Sequence, residues 1–189
     1  MENIRVKGLL RVALGAVVII GTLAVNGCIF GTDPPIEDPP AEGFGSPAGV
    51  IELIQDAYTE RNIDLYKECL SPDFTFYFDQ NDVGDDVEGY VIPVSWNYDD
   101  EVEAVNNMFD EAHSIDITLT NENISDPEPD DTVFNVPSVQ ISLLVMVDAT
   151  NGFLATGFVE FDFESYLDPK DQTEKLWRVK NWRDYTAPS

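Results

Sequence analysis

The second half of this chain alternates apolar and polar residues in several separate stretches, and that period of two restricts the fold more than any other feature of the sequence. Side chains of a β-strand point to its two faces in turn, so each stretch predicts a strand with one buried face. Asn151 and Gly152 separate two of the stretches and are typical of a hairpin turn. The predicted strands cover residues 74–78, 115–119, 139–147, 153–163 and 176–185.

The first half of the chain carries helical signals. Ser46 and Pro47 suit the N-cap and the first turn of a helix, whose apolar residues recur at helical spacing as far as Tyr58. A short second helix is predicted over residues 64–70. A third begins near Asn97, because the acidic residues that follow favour the positive end of a helix dipole. The predicted buried face of this third helix consists of Val102, Val105, Met108 and Phe109.

Helices that come first and strands that follow predict an α+β fold, in which the helices cover one face of a curved sheet. Residues 46–189 are assigned to one such domain, which is long enough to bury a sizeable core. Residues 28–45 precede it and are rich in proline, glycine and acidic residues, with no apolar period. This segment is therefore predicted to be a flexible acidic linker.

Residues 58–66 read YTERNIDLY and are followed by LSPDF at 70–74, and the chain closes with WRVKNWRD at 177–184. These segments resemble the nuclear-transport-factor-2-like superfamily, which includes SnoaL-like cyclases and ketosteroid isomerases. The resemblance implies a cone-shaped, curved antiparallel sheet packed against about three N-terminal helices. It also implies a cone mouth that can hold a ligand and, as in many relatives, a homodimer formed through the sheet face.

The N-terminus has the three parts of a secretory signal. Residues 1–11 are net positive, and the apolar run at 12–25 would rise only about 21 Å as a helix, short of a hydrocarbon core of about 30 Å. The run ends in Val25, Asn26, Gly27 and Cys28, which resembles a bacterial lipobox. The resemblance implies removal of residues 1–27, lipid attachment at Cys28, and a lipoprotein of the cell envelope that faces the periplasm or the exterior. A short uncleaved anchor is the alternative.

The charge of the chain excludes some classes of partner. Its 10 basic residues against 36 acidic ones give a formal net charge of −26, which repels nucleic acids and anionic lipid head groups. No cofactor motif is present. The loop that starts at Asp79 has part of an EF-hand pattern, but Val83 and Tyr90 stand where acidic ligands are needed, so no metal site is predicted. A looser calcium site in this loop is the less favoured alternative.

Candidates for acid–base chemistry are few. His113, Asp162 and Asp184 could supply a proton-transferring group if they faced a cavity, which is what catalytic members of the superfamily require. Each also has a structural explanation: His113 follows a helix, and both aspartates alternate with apolar neighbours and so are expected on the solvent face. Three aromatic residues could floor an apolar pocket or simply pack in the core: Trp96, Tyr98 and Trp182.

The sequence thus predicts a membrane-tethered, extracytoplasmic domain that binds a small apolar or amphipathic molecule, or has a structural role, without catalysis. The alternative is a proton-transfer isomerase, dehydratase or cyclase acting on a small hydrophobic substrate inside the cone. A buried Asp or His at an open cavity would favour the enzyme, and a filled cone would favour the binding protein. A homodimer through the sheet face is also predicted, because Leu144 and Met146 give that face some apolar character.

Overall fold

The computed structural model describes residues 41–87, 89–120 and 124–185. The predicted signal peptide, Cys28 and the predicted linker as far as residue 40 lie outside the described residues. Within the described ranges, no helix is long and apolar enough to cross a membrane.

The helices begin where the sequence places their caps. Ser46 Oγ accepts the Gly49 N–H at 3.1 Å, and the side chain of Asn97 accepts the N–H groups of Asp99 and Asp100. The Asp100 carboxylate accepts the Asn97 N–H in return, which completes a capping box. The helices are α1 (Ala41–Phe44), α2 (Pro47–Glu60), α3 (Ile63–Cys69) and α4 (Tyr98–Glu111).

Arg61 connects α2 and α3 to the end of α4. Arg61 ends α2 in the left-handed region at φ 55°, and Asn62 then caps α3 by accepting the Leu65 N–H at 3.0 Å. The Arg61 guanidinium donates to the carbonyl oxygens of Phe109 and His113 at 3.4 and 2.6 Å. The end of α4 is therefore fixed against the turn between α2 and α3.

The strands are β1 (Leu70–Tyr77), β2 (Asp86–Val87), β3 (Tyr90–Val91), β4 (Ser95–Asn97), β5 (Ser114–Thr120), β6 (Val133–Met146), β7 (Gly152–Leu167) and β8 (Lys175–Tyr185). They form one six-stranded sheet in the order β4-β1-β8-β7-β6-β5 and a small β2-β3 hairpin. Strands β5 to β8 form an antiparallel meander, and β8 then pairs with β1 in the same direction. The sheet is therefore mixed, and the prediction of an entirely antiparallel sheet is wrong in this one pair.

Three strand pairs of this sheet contain a register shift, and one of these shifts lies in the β1–β8 pair between Leu70 and Thr75. The pairing of β6 with β7 shifts between Val136 and Val139, where Ser138 has a φ of 57°. The pairing of β7 with β8 shifts between Asp162 and Phe163. Bulges increase the local bend and twist of a strand, so they give the sheet a concave face on which the helices pack. The predicted curved sheet with helices on one face is confirmed.

Aromatic side chains fill the interior of the cone. The Trp182 ring centroid lies 4.7 Å from that of Phe161 and 6.0 Å from that of Phe76. Cys69 is also buried among the core residues, and burial raises the pKa of its thiol, as expected for a cysteine that packs as a small apolar residue. The largest fully buried side chains include Trp182, Tyr66, Phe74, Phe161 and Phe163.

The folded unit starts earlier than Ser46. Phe44 in α1 is buried in the core. Gly49 approaches the carbonyl of Gly43 so closely that a side chain at position 49 would collide with it. Residues 41–45, which the sequence analysis assigned to the linker, therefore pack with the domain because Phe44 gives them an apolar anchor.

Candidate functional site

A cleft opens where β1 and β8 end, at the carboxyl ends of the only parallel pair among the described strands. Its volume is about 460 Å³, within the range of small-molecule sites. We call it the carboxyl-end cleft. Its lining includes Phe78, Asp79, Asn81, Val94, Asp184 and Tyr185, together with Arg183, whose guanidinium pairs with Glu160 and Asp162.

The loop after β1 forms the rim of this cleft. The Phe78 N–H donates to the Val94 carbonyl at 3.2 Å, next to the antiparallel pairing of β1 with β4. Further along, Ile92 accepts from the Gly84 N–H at 2.9 Å and donates to the Asp85 carbonyl at 3.0 Å. Gly84 has a φ of 88°, a conformation that favours glycine. Backbone hydrogen bonds thus hold the rim in a defined shape.

Asp79 is the first carboxylate of the cleft and is only 7% exposed. One of its oxygens, Oδ1, accepts both the backbone N–H and the side-chain amide of Asn81 at 2.8 Å. Its backbone carbonyl accepts the Asp82 N–H at 2.9 Å. The side chain is therefore oriented by the loop that follows it.

Asp184 is the second carboxylate and is only 6% exposed. It follows Trp182 by two residues on β8, so it points to the same concave side of the sheet. The expectation of a solvent-facing Asp184 is wrong, because Trp182 and not Tyr185 sets the inward phase of this strand. Tyr185 is exposed, and its hydroxyl donates to Glu160 at 3.0 Å.

Asp162 lies on the outer face of the sheet, as its alternation with Phe161 and Phe163 predicted. Partial burial raises the pKa of its carboxyl, but hydrogen bonds from Asn135, Asn181 and Arg183 outweigh this and lower it overall. The Arg183 Nη1 lies 2.6 Å from Asp162 Oδ2. Asp162 is thus a member of an outer-face polar network, and it lines neither the carboxyl-end cleft nor the cleft at the other end of these strands.

His113 is exposed, two residues beyond the end of α4. Its backbone makes the contacts that the structure records: the N–H donates to the Met146 carbonyl at 2.7 Å, and the carbonyl accepts from Arg61. The three acid–base candidates therefore lie in three different places, and among the described clefts Asp184 is the one of the three that lines any.

The three aromatic candidates also separate. Trp182 is buried in the core, and Trp96 lies at the sheet edge, where its ring centroid is 6.2 Å from that of Phe76 and its indole N–H donates to the Tyr90 hydroxyl at 2.8 Å. Tyr98 lines a different cleft at the amino ends of β1 and β8. Their role in ligand binding stays a prediction, and they do not form one floor.

A buried carboxyl that the sequence analysis did not single out lies beneath α4. Glu101 is 5% exposed, and the Tyr66 hydroxyl donates to its Oε1 at 2.7 Å. Burial raises the pKa of Glu101 to about 7, and the hydrogen bond from Tyr66 lowers it in part. Tyr58 packs edge-on against Tyr66 with ring centroids 5.5 Å apart, and the Phe109 ring packs against both, at 5.2 Å from Tyr58 and 6.4 Å from Tyr66.

The sequence did contain a signal for Glu101. Its position precedes Val105 by four residues and Met108 by seven, so it lies on the apolar stripe of the helix. The sequence analysis explained the acidic residues of the first turn, Glu101 among them, by the helix dipole instead. A carboxyl with a pKa near neutrality is a candidate for acid–base chemistry, but Glu101 lines neither described cleft.

Within the described residues, no group of three or more His, Cys, Asp or Glu side chains is placed to hold a metal ion. The outer sheet face carries an exposed apolar pair, since Leu144 and Leu154 lie opposite each other on β6 and β7. Self-association through this face stays a prediction.

No protein-family sequence model and no curated protein sequence matches the chain. Solved structures do match it. An NTF2-like protein from Rhodospirillum rubrum shares 12% identity at a TM-score of 0.53, covering 75% of this chain and 98% of that one. A candidate scytalone dehydratase from Novosphingobium aromaticivorans shares 9% identity at a TM-score of 0.53, covering 74% of this chain and 80% of that one. A candidate aromatic ring hydroxylase from the same organism shares 14% identity at a TM-score of 0.51, covering 80% of this chain and 94% of that one. The chain therefore has the nuclear-transport-factor-2-like fold.

Proposed function

We propose that this chain is a lipid-anchored, extracytoplasmic protein that binds an amphipathic small molecule in the carboxyl-end cleft. The observation that carries the proposal is the pairing in one cleft of two largely buried carboxylates, Asp79 and Asp184, which come from different parts of the chain. Solved structures with the same fold, whose names include a candidate dehydratase, agree with a domain built around a small-molecule site.

The lining of the cleft defines the chemistry of the ligand. Phe78 and Val94 offer apolar surface, while Asp79 and Asp184 offer oxygen acceptors. A carboxylate of low exposure favours a donor that brings its own positive charge or hydrogen, such as an amine or a hydroxyl group. We therefore expect an apolar ring or chain that carries an amine or hydroxyl at one end.

Binding without catalysis fits the interior of the cone. The concave face is filled by Trp182 and Phe161, and Glu101 is enclosed beneath α4. Asp79 already accepts two hydrogen bonds from Asn81, so one of its oxygens is committed. Glu101, whose pKa is raised to about 7, lines none of the clefts seen among the described residues.

The proposal is tested with 2-phenylethylamine and 2-phenylethanol, titrated into the full-length chain and into Asp184→Asn. Loss of one charged partner should weaken amine binding by about tenfold, because a charge-assisted hydrogen bond contributes about 1.5–3 kcal/mol. Asp116→Asn, which removes an exposed carboxylate on β5 that does not line the cleft, is the matched control and should leave the affinity unchanged. Equal affinity in all three proteins, or no binding of either compound, would contradict the proposal.

A second function, proton transfer to or from a small hydrophobic substrate, is favoured by one observation. Glu101 has a pKa raised to about 7 and lies within hydrogen-bond distance of a phenol, an arrangement suited to general acid–base chemistry. The test is exchange of α-hydrogens of small cyclic ketones in D₂O. We expect the wild-type rate to equal the buffer rate. Faster exchange that is lost in Glu101→Gln or Asp184→Asn would replace binding by catalysis as the function.

The lipid anchor is tested separately. In bacterial cells supplied with labelled palmitate, the wild-type chain should incorporate label, and Cys28→Ser should abolish it, because the thiol of that residue is the proposed attachment point. Cys69→Ser is the control, since this second cysteine is buried in the domain and should not affect labelling. Persistent labelling of Cys28→Ser would end the lipoprotein proposal.

A further inference from the structure

A second cleft, of about 560 Å³, opens at the amino ends of β1 and β8. It lies between α3, the start of α4 and the end of β7, at the opposite end of the two parallel strands from the carboxyl-end cleft. We call it the arginine cleft. The side chains that determine its chemistry are Lys67, Glu68, Leu70, Tyr98, Tyr166 and Arg178.

Arg178 is held in a fixed position in this cleft. Its guanidinium carbon lies 3.5 Å from the ring centroid of Tyr166, so the two groups stack. The Nε of Arg178 is buried and has no hydrogen-bond partner among the described residues. Buried donors are normally paired, so an acceptor supplied by a ligand would satisfy a group that the described protein leaves unsatisfied.

The sign of charge in the cleft is the reverse of that of the whole molecule. Two cationic side chains, Lys67 and Arg178, line it with one carboxylate, Glu68, whereas the chain as a whole has 10 basic and 36 acidic residues. Lys67 pairs with Asp64 at 3.3 Å. Arg178 lies opposite Glu164 in the β7–β8 pair, but the Glu164 carboxylate is itself paired with Lys180 at 2.8 Å, so Arg178 supplies most of the positive charge available to a ligand. An anion that approaches this protein is repelled by most of its surface and attracted here.

The remaining walls are flat or apolar. Leu70, two prolines and the rings of Tyr98 and Tyr166 complete the lining. Partial burial raises the pKa of Tyr98, while the charges of Lys67 and Arg178 lower it, which places both cations near this phenol. A planar ring can therefore lie against the tyrosines while its charged group reaches the guanidinium.

We propose that the arginine cleft is a second binding site, and that its ligand is an aromatic carboxylate whose ring packs against Tyr98 and Tyr166 while its carboxylate pairs with Arg178. The site prefers the opposite charge from the carboxyl-end cleft and shares no lining residue with it. The two proposals therefore stand or fall separately.

The test is titration of 2-naphthoate into the full-length chain and into Arg178→Gln and Lys67→Gln. Loss of the guanidinium should weaken binding by about tenfold or more, and loss of the more exposed ammonium by about threefold. Glu68→Gln should strengthen binding, because it removes a negative charge from the lining of the cleft. Arg183→Gln, which removes a cation paired with Asp162 at the opposite end of β8, is the matched control and should have no effect.

The uncharged analogue 2-naphthamide separates charge recognition from simple apolar binding. It should bind wild type about tenfold more weakly than 2-naphthoate and should be insensitive to Arg178→Gln. Thermal unfolding of each variant shows whether the fold is intact, and Lys67→Gln keeps the test open if Arg178→Gln does not fold. Absence of 2-naphthoate binding, equal binding of the amide, or wild-type affinity in the folded cation variants would overturn the proposal.

Discussion

Replacing Glu101 by glutamine should remove a large part of the pH dependence of stability. In the wild type, this carboxyl has a pKa of about 7 when folded and 4.5 when exposed. Between these two values the folded state keeps a proton that the unfolded state has released. The free energy of unfolding therefore falls as pH rises through this window, by about 3 kcal/mol in total. Below pH 4.5 and above pH 7, the contribution of Glu101 to the free energy of unfolding does not change with pH.

Glutamine has no proton to release and can still accept the hydrogen bond from Tyr66. The stability of Glu101→Gln relative to wild type should therefore increase by about 3 kcal/mol between pH 4 and pH 8, measured by urea unfolding across that range. Glu103→Gln, on an exposed position of the same helix, is the matched control and should run parallel to wild type. Parallel curves for wild type and Glu101→Gln would show that Glu101 is not enclosed as described.

Truncation of Trp182 should be the most destabilising single change in the interior. The side chain is 1% exposed and contacts Phe76 and Phe161. Trp182→Ala should cost roughly 3–5 kcal/mol, because it removes a large buried surface and leaves a cavity in a packed core. For a domain of ordinary stability this is a large fraction of the total, so unfolding should begin at much lower urea concentration.

Two further variants identify the cause of that loss. The Trp182 indole N–H has no hydrogen-bond partner among the described residues, so Trp182→Phe removes an unsatisfied donor and keeps an aromatic ring. Trp182→Phe should therefore lower the free energy of unfolding by less than half as much as Trp182→Ala. Trp96→Ala, at the less buried sheet edge, should also cost less. Wild-type stability in Trp182→Ala would mean that the cone is open rather than filled, and the interior would then be a candidate ligand site.

Local signals in the sequence were sufficient to predict most of the helices and strands. Ser46 and Asn97 cap helices where predicted, since a side-chain acceptor for a free helical N–H is a property of neighbouring residues. Residues 115–119 fall within β5, and the predicted strand 139–147 coincides with the second half of β6 except for Val147, because alternation is also local. The short α1 was missed because Pro, Gly and acidic residues surround its single anchor, Phe44.

Pairing between distant strands could not be read in this way. The parallel alignment of β1 with β8 joins residues about a hundred positions apart, such as Phe76 and Trp182. It creates both clefts, since the amino ends and the carboxyl ends of the two strands each meet at one end of the sheet. The carboxyl-end cleft therefore depends on a contact that no local pattern contains.

Two carboxylates are buried against expectation, for different reasons. Asp184 was expected on the solvent face because it alternates with Tyr185, but Tyr185 is exposed and Trp182 sets the inward face of β8. Glu101 was explained by the acidic first turn of its helix, although it precedes Val105 and Met108 by four and seven residues on the buried face. In both elements, the buried apolar side chains identify the inward face.

The most direct test of the binding proposal is a crystal structure of the full-length chain with 2-phenylethylamine. The proposal predicts the amine in the carboxyl-end cleft, within hydrogen-bond distance of the Asp184 carboxylate, with its ring against Phe78 and Val94. A cleft without ligand, together with the compound bound in a repacked interior beside Glu101, would contradict the proposal and favour proton-transfer chemistry inside the cone.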